Sequence, residues 1–213
     1  MNKLEGVKYI GLDLDQTLYP KSEKIDEAIQ QYIYEKIAEY KQINVEEAKQ
    51  LFYSYYPKIS GRKTLIELRI PSAENIIQEA LENADIAEFL VPDRSVKQLL
   101  EQLRKKYKLA LITGSNKEIA TRKLMKLELP LELFDFIITG EISKSNGTAY
   151  KQWIEHYDGE VSEFLYIGDR KTTDVDIPVS LGMKAVLVNV KEVDDSLAVM
   201  QFKELVEIRS LFL

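Results

Sequence analysis

The sequence contains no cysteine and only one histidine among its 213 residues. Without cysteine the chain can form no disulfide, no thiolate zinc site and no cysteine nucleophile. His156 alone cannot supply a multi-histidine metal site. Long apolar runs are also missing: none approaches the ~20 residues that a membrane span needs, and the N-terminal residues lack the apolar stretch of a signal peptide. We therefore expect a soluble, cytoplasmic protein.

An excess of basic charge is absent as well. The 29 lysine and arginine residues are interspersed with 35 acidic ones, for a net charge of −6, and they form no basic stripe. This distribution argues against a nucleic-acid polymer or an anionic membrane as a partner. What remains is an ordinary globular composition, 45% hydrophobic and 30% charged. The chain is long enough for a full core domain and a smaller second one.

The first part of the chain combines one strand with a long helical region. The apolar run 7–12 predicts a buried strand, whereas residues 16–90 show helical spacing and no convincing strand. Asn44 and Glu47 form a capping-box pattern at the start of one of these helices. The helices predicted in this region cover residues 24–40, 44–55, 64–69 and 72–83.

From Pro92 onwards the pattern alternates between helix and strand. Strands are predicted over 109–112, 134–138, 163–167 and 185–190, and helices over 93–106, 116–127, 147–157, 172–181 and 202–211. Such alternation predicts a parallel sheet with helices on both faces, and the first strand must join it to bury its own two faces. We expect an α/β fold with a Rossmann-like, doubly wound core of residues 1–15 and 91–213. Residues 16–90 would form a smaller, inserted all-α domain.

Polar groups suited to phosphate chemistry follow each of the first four predicted strands. In chain order they are Asp13 and Asp15; Thr113, Gly114 and Ser115; Lys144; and Asp169 and Asp174. The ends of parallel strands meet at one edge of a sheet, where ligands bind. Carboxylates that lie close together repel unless a cation neutralises them, and without histidine they favour Mg²⁺. A helix N-terminus offers backbone donors to a phosphate, so the set predicts phosphoryl transfer.

These segments resemble, in the same order, the four motifs of the haloacid dehalogenase (HAD) superfamily of phosphohydrolases. The motifs are Asp13-Leu14-Asp15-Gln16-Thr17, then Thr113, then Lys144, and last Gly168-Asp169 through Asp174. The resemblance covers nearly the whole chain, because the helical insert is similar to the α-helical cap that follows the first motif in this family. The segments 12–20 and 55–65 further resemble the branch that contains pyrimidine 5′-nucleotidases.

The resemblance implies a role for each carboxylate. Asp13 would attack phosphorus and form an aspartyl-phosphate. Asp15 would protonate the leaving oxygen and then activate water. Mg²⁺ would be bound by the Asp13 carboxylate, the Asp15 backbone carbonyl and Asp169. Asp174 would act through water or by holding Lys144.

The resemblance also implies a phosphate site. Thr113, the Gly114 amide and Ser115 would hold phosphoryl oxygens at the start of a helix, and Lys144 would stabilise the charge that develops there. Related proteins commonly have proline after the motif lysine, whereas Ser145 follows here. Lys151, inside a predicted helix, therefore remains an alternative.

The function implied is that of a Mg²⁺-dependent phosphatase for a small phosphate ester, such as a nucleoside monophosphate, acting as a monomer or homodimer. A sugar phosphomutase of the same family stays open because Arg62 and Lys63 could assist in the cap. A catalytically silent binding protein on this fold would be expected to lack a core residue, and none is missing. A dehalogenase is disfavoured because related dehalogenases lack the second acid, which is present here as Asp15.

Overall fold

The chain folds into two compact units. The computed structural model describes residues 4–73, 75–76, 79–80, 86–192 and 200–212. One unit comprises Met1–Lys21 with Leu90–Leu213, and the other is Ser22–Phe89.

Residues 16–21 therefore belong to the first unit, although the sequence pattern placed the boundary directly after Asp15. Leu18 is almost fully buried, and the Asn189 amide donates a hydrogen bond to the Gln16 carbonyl at 2.7 Å. The hydrogen bond to Asn189 connects residues 16–21 to the first unit.

The first unit is built on a parallel sheet that has six strands within the described residues. The strands are β1 Tyr9–Leu12, β2 Lys108–Ile112, β3 Phe136–Ile138, β4 Phe164–Gly168, β5 Lys184–Leu187 and β6 Met200–Gln201. Their order across the sheet is β3-β2-β1-β4-β5-β6, and every neighbouring pair is parallel. The predicted α/β fold is confirmed. The strand order reverses between β1 and β4, and such a switch point is where open α/β sheets bind ligands.

The second unit contains helices only, among the residues that are described. Its helices are α1 Glu23–Lys41, α2 Val45–Tyr53 and α3 Gly61–Glu67, followed by a 3₁₀ turn at Ile86–Phe89. Ile33 and Ile37 of α1 are buried with Phe52 and Leu65 in a hydrophobic core within this unit. The predicted capping box of Asn44 is present, whereas the helix predicted over 72–83 lies partly outside the described residues.

The remaining helices flank the sheet. They are α4 Arg94–Arg104, α5 Lys117–Lys126, α6 Thr148–Tyr157, α7 Ile177–Ser180 and α8 Arg209–Phe212. On one face, Trp153 and Tyr150 of α6 pack in a buried cluster with Ala110 and Ile112 of β2. Alternate residues of a strand point to opposite faces, so Leu111, also fully buried, points towards the other face of the sheet.

Two predicted helices take other forms in the structure. Where a helix is predicted over residues 172–181, the structure has a wide π-type turn at Lys171–Asp176, followed by the short helix α7. Pro178 lacks a backbone N–H and so fits the first turn of that short helix. Near the C-terminus, β6 precedes a 3₁₀ turn at Leu205–Ile208 and then α8, where one continuous helix was predicted. None of the helices in the described ranges is both long and apolar enough to cross a bilayer.

Candidate active site at the carboxyl edge of the sheet

Asp13 occupies the first position after the central strand β1. Its backbone N–H donates to the Ile167 carbonyl at 2.9 Å, which prolongs the pairing of β1 with β4 by one residue. The residue is only 5% exposed. The ammonium group of Lys144 donates to Asp13 Oδ1 at 2.8 Å, so the buried carboxylate has a cationic partner.

Asp169 and Asp174 follow β4 and lie beside Asp13. One carboxylate oxygen from each of the three residues lies within 4.8 Å of the others. Asp174 is fully buried, and Asp169 Oδ1 is a buried oxygen without a hydrogen-bond partner in the described part of the chain. Carboxylate oxygens that converge in this way are the ligands that hard divalent cations such as Mg²⁺ take. The three residues can therefore hold a metal ion.

Lys144 bridges two of these carboxylates from the loop after β3. Its Nζ lies 2.8 Å from Asp13 Oδ1 and 2.8 Å from Asp174 Oδ1, and 5.2 Å from the centre of the Tyr166 ring. Lys151, the alternative motif lysine, is exposed on α6. Lys144 is thus the lysine brought to the carboxylates. We refer to Asp13, Asp169, Asp174 and Lys144 as the Asp13 cluster.

Gly168 permits the close approach of Asp174 to the end of β4. A Cβ atom at Gly168 would lie 2.4 Å from Asp174 Oδ2, so any other residue would push the carboxylate away. The same oxygen accepts the backbone N–H of Arg170 at 3.0 Å. The position of the Asp174 carboxylate therefore depends on glycine at residue 168.

Burial and crowding shift the protonation of the Asp13 cluster. Burial raises the pKa of Asp13 to about 7; the charges of Asp174 and Asp15 add to the rise, and Lys144 opposes it. Burial likewise raises the pKa of Asp169. For Lys144, burial favours the neutral form, but the charges of Asp13 and Asp174 outweigh it and the pKa is raised. The cluster is therefore short of positive charge.

The Asp15 side chain contacts a different set of residues from Asp13. Its Oδ1 accepts hydrogen bonds from Lys123 Nζ at 2.6 Å and from the Tyr19 hydroxyl at 2.6 Å. Its Oδ2 accepts one from the Ser115 hydroxyl at 2.8 Å. Lys123 Nζ also donates to Ser115 Oγ at 2.9 Å. We refer to Asp15, Lys123, Ser115 and Tyr19 as the Asp15 cluster.

These donors reverse the effect of burial on Asp15. Burial alone would raise the pKa of its carboxyl group, but the Lys123 charge and the hydrogen bonds from Lys123, Tyr19 and Ser115 lower it below the usual value. Burial beside this carboxylate raises the pKa of Tyr19, so the phenol remains a donor. Asp13 and Asp15, two residues apart, are therefore shifted in opposite directions.

The loop after β2 places the predicted phosphate-binding residues at the same edge. Thr113 is fully buried; its N–H donates to the Ile138 carbonyl at 3.0 Å, and its Oγ1 accepts the Ser115 N–H at 3.1 Å. Gly114 is exposed and has open space on its Cβ side. The Ser115 hydroxyl is directed to Asp15. Asn116 caps α5 by accepting the N–H of Ile119, as its place at the predicted helix start suggests.

Sequence reasoning overlooked Lys123, although the sequence carries a signal for it. Within α5 the buried residues are Ile119, Ala120, Lys123 and Leu124. A lysine in the apolar stripe of a helix is rarely buried unless it is paired. The position therefore indicates an anionic partner, but not which one. Tyr19 is a second donor that local sequence patterns do not indicate: its hydroxyl donates to Asp15.

Comparison with known proteins identifies the family and the fold. Residues 7–179 match the family model described as haloacid dehalogenase-like hydrolase. The fold is similar to a HAD phosphatase from Thermococcus onnurineus, with a TM-score of 0.68 and 24% identity over 96% of this chain and 97% of that one. It is similar to a protein from Thermotoga maritima described as a candidate beta-phosphoglucomutase, with a TM-score of 0.62 and 20% identity over 97% and 100% of the chains.

A third structure with the same fold was solved with magnesium bound. It is the candidate HAD hydrolase YfnB from Bacillus subtilis, with a TM-score of 0.58 and 14% identity over 97% and 99% of the two chains. At these identities the three structures establish the shared fold. The family match spans the strands and loops that carry the Asp13 and Asp15 clusters. The chain is therefore a hydrolase and belongs to the haloacid dehalogenase-like family.

Proposed function

We propose that this hydrolase is a Mg²⁺-dependent phosphatase that cleaves a small phosphate monoester through an aspartyl-phosphate on Asp13. The observation that carries the proposal is the charge of the Asp13 cluster. Three carboxylates converge there, and one ammonium group is in direct contact with two of them. When all three carboxylates are ionised, two negative charges remain, which matches one divalent cation.

The first step forms the covalent intermediate. A carboxylate oxygen of Asp13 attacks phosphorus, and the bond between phosphorus and the ester oxygen breaks. The ester oxygen takes a proton from the Asp15 carboxyl group and leaves as the alcohol. The low pKa of Asp15 in the substrate-free protein rises when a phosphate dianion arrives, because like charges disfavour ionisation.

The second step restores both carboxylates. Asp15, now ionised, takes a proton from a water molecule whose oxygen attacks phosphorus, and the bond from phosphorus to Asp13 breaks. Phosphate leaves and Asp13 is again a carboxylate. The proton on Asp15 then passes to water, because the pKa of Asp15 returns to its low value in the substrate-free protein. The net reaction consumes one ester and one water and releases one alcohol and one phosphate.

The remaining residues are proposed to bind the phosphoryl group and Mg²⁺ and to stabilise negative charge. Thr113 and the Gly114 amide lie in the loop that leads into α5 and are proposed to hold phosphoryl oxygens, with Ser115 beside them. Lys144 stabilises charge on Asp13 and on the phosphoryl group. Asp13, Asp169 and the Asp15 backbone carbonyl would hold Mg²⁺, with Asp174 acting through water or Lys144. When bound, the ion supplies positive charge that neutralises the phosphoryl oxygens.

For the substrate we propose a phosphorylated metabolite, with nucleoside monophosphates as the first candidates. The segments 12–20 and 55–65, which resemble the pyrimidine 5′-nucleotidase branch, support this choice. We also propose that the second unit, Ser22–Phe89, acts as the cap that selects the substrate. Alanine at the exposed residues Arg62 and Lys63 should then raise KM for the preferred ester more than it lowers kcat.

A second candidate is a phosphomutase, because the similar fold from Thermotoga maritima is described as a candidate beta-phosphoglucomutase. Its product distinguishes it from a phosphatase. A sugar monophosphate would be converted to its positional isomer, and little inorganic phosphate would be released.

The proposal is tested by measuring phosphate release with Mg²⁺ or with EDTA. The esters are p-nitrophenyl phosphate, pyrimidine and purine monophosphates, phosphoglycolate and sugar phosphates. We expect Mg²⁺-dependent release from at least one ester, and a loss on the order of 10⁴-fold or more in Asp13→Asn. Asp158→Asn is the matched control, because Asp158 is exposed at the end of α6. Turnover that survives in Asp13→Asn would exclude Asp13 as the nucleophile.

A further inference from the structure

Lys123 is a buried lysine that the proposed chemistry does not use directly. It lies on α5 with 1% of its surface exposed, between the buried residues Ala120 and Leu124. Moving an ammonium group out of water costs several kcal/mol unless a charge and hydrogen bonds compensate it. A position in an apolar stripe would accept leucine or methionine at lower cost. A lysine there is best explained by its partner.

That partner is the acid/base carboxylate of the proposed mechanism. Lys123 Nζ donates to Asp15 Oδ1 and to Ser115 Oγ, while Ser115 donates to Asp15 Oδ2. The three groups close a ring in which each donor has an acceptor. Both carboxylate oxygens are held from the side of α5, and Tyr19 adds a further donor to Oδ1. These contacts restrict rotation of the carboxyl group about its bond to Cβ.

Asp13 has a separate cation, so Lys123 does not duplicate Lys144. Lys144 contacts Asp13 and Asp174, and the ion pair of Asp15 is made with Lys123. Two carboxylates that are neighbours in sequence are thus held by lysines from different loops and helices. An arrangement needed only for stability would not have to centre on the residue that exchanges protons.

We propose that Lys123 is a positioning residue: together with Ser115 it fixes the orientation of the Asp15 carboxyl group for both proton transfers. The inference rests on the proposed function. In the first step a misoriented Asp15 delivers its proton poorly to the ester oxygen. In the second step it takes a proton poorly from water. Both defects arise at Asp15, so neither should appear once the Asp15 carboxyl group has been removed.

The test compares esters whose leaving groups need the proton to different degrees. p-Nitrophenolate leaves readily without a proton, whereas the more basic phenolate leaves much more easily when it is protonated. Phenyl phosphate therefore depends more strongly on general acid catalysis. In Lys123→Met, with Mg²⁺ present, we expect kcat/KM to fall about 100-fold for phenyl phosphate and less than about tenfold for p-nitrophenyl phosphate. Lys123→Arg, which keeps the charge, should recover part of the loss. Lys126→Met, an exposed site on the same helix, is the matched control.

A double variant separates positioning from packing. Asp15→Asn combined with Lys123→Met should have the same kcat/KM as Asp15→Asn alone, because Lys123 acts through Asp15. Thermal unfolding of each variant shows whether it is folded. If Lys123→Met does not fold, Ser115→Ala serves for the same comparison, since it removes the donor to Oδ2 and keeps the lysine.

The outcomes distinguish the inference from the function on which it rests. A wild-type protein that releases no phosphate from any ester with Mg²⁺ contradicts the proposed phosphatase, and the positioning role falls with it. A wild type that is active, with folded variants that lose equally on both esters or not at all, overturns the positioning role alone. A further loss in the double variant also overturns it.

Discussion

The two clusters at the carboxyl edge of the sheet share a strand end but differ in charge. The Asp13 cluster has three carboxylates and one lysine in direct contact. The Asp15 cluster has one carboxylate and one lysine, with two hydroxyl donors. With Asp15 ionised the second cluster is therefore neutral, and both carboxylate oxygens accept hydrogen bonds. The first carries two uncompensated negative charges when its three carboxylates are ionised.

This difference explains why the pKa values of Asp13 and Asp15 are shifted in opposite directions. The pKa of Asp13 is raised to about 7 by burial among like charges, and that of Asp15 is lowered by Lys123 and the hydroxyl donors. A divalent cation would complete the first cluster and change little in the second. One motif thus supplies a carboxylate that converges with two others and a carboxylate that does not, and each has its own lysine partner.

The largest effect is expected from removing the lysine of the Asp13 cluster. Lys144→Met leaves Asp13 and Asp174 buried without their cation, which should lower the free energy of unfolding by about 3–5 kcal/mol in EDTA and abolish turnover. Urea unfolding measures the first effect and phosphate release the second. Lys151→Met, on the exposed face of α6, should change neither. An unaltered stability for Lys144→Met would contradict the charge comparison.

Mg²⁺ should stabilise the protein through one cluster only. At a concentration about 100 times its Kd, the ion should raise the free energy of unfolding by about 2.7 kcal/mol. Asp169→Asn should lose most of this increment. Asp15→Asn should keep it, since the Asp15 side chain is not among the converging carboxylates. Thermal melts with and without Mg²⁺ decide the matter, and an equal loss in both variants would show that the clusters are not independent.

The pH dependence of stability in EDTA should also distinguish the Asp13 cluster from the Asp15 cluster. The folded-state pKa of Asp13, about 7, lies above its unfolded value of about 4. The folded state then binds more protons between these values, so this contribution to stability is full below pH ~4 and is lost as pH rises to about 7. The lowered pKa of Asp15 acts oppositely: its contribution is present above pH ~4 and is lost as pH falls through the folded pKa.

Urea unfolding from pH 4 to 8 in EDTA measures this trend. Asp13→Asn should remove much of the decline towards pH 7, and Mg²⁺ should do the same in the wild type because it holds the carboxylates ionised. A wild-type stability that rises steadily over this range would count against the raised pKa of Asp13.

The smallest effect is expected at Tyr19. Tyr19→Phe removes one of three donors to the Asp15 carboxylate and leaves Lys123 and Ser115 in place. The expected cost is about 1 kcal/mol in stability and a severalfold loss of kcat/KM, with the Mg²⁺-induced stabilisation unchanged. A loss of turnover as large as that of Lys123→Met would mean that the phenol, and not the lysine, dominates the Asp15 cluster.

Much of the α/β unit could be predicted from sequence because its signals are local. Asp13 follows an apolar run that is β1, and Asn116 stands at the start of α5, so periodicity and capping located both. The wide turn at Lys171–Asp176 could not be predicted, since it depends on Asp174 folding back to the Arg170 amide beside Gly168. Ser115 was predicted at the right loop, yet its hydroxyl partner lies 100 residues away.

The sequence by itself determined the family and the α/β fold, and it predicted a candidate site at one edge of the sheet. Carboxylates, a lysine and a helix start each follow a strand, and a parallel sheet must bring strand ends together. Only the tertiary structure decided which cation belongs to which carboxylate. Lys144 and Asp13 are 131 residues apart, and Lys123 and Asp15 are 108 apart. Pairings over such separations depend on how helices pack against the sheet, which no local pattern in a single sequence encodes.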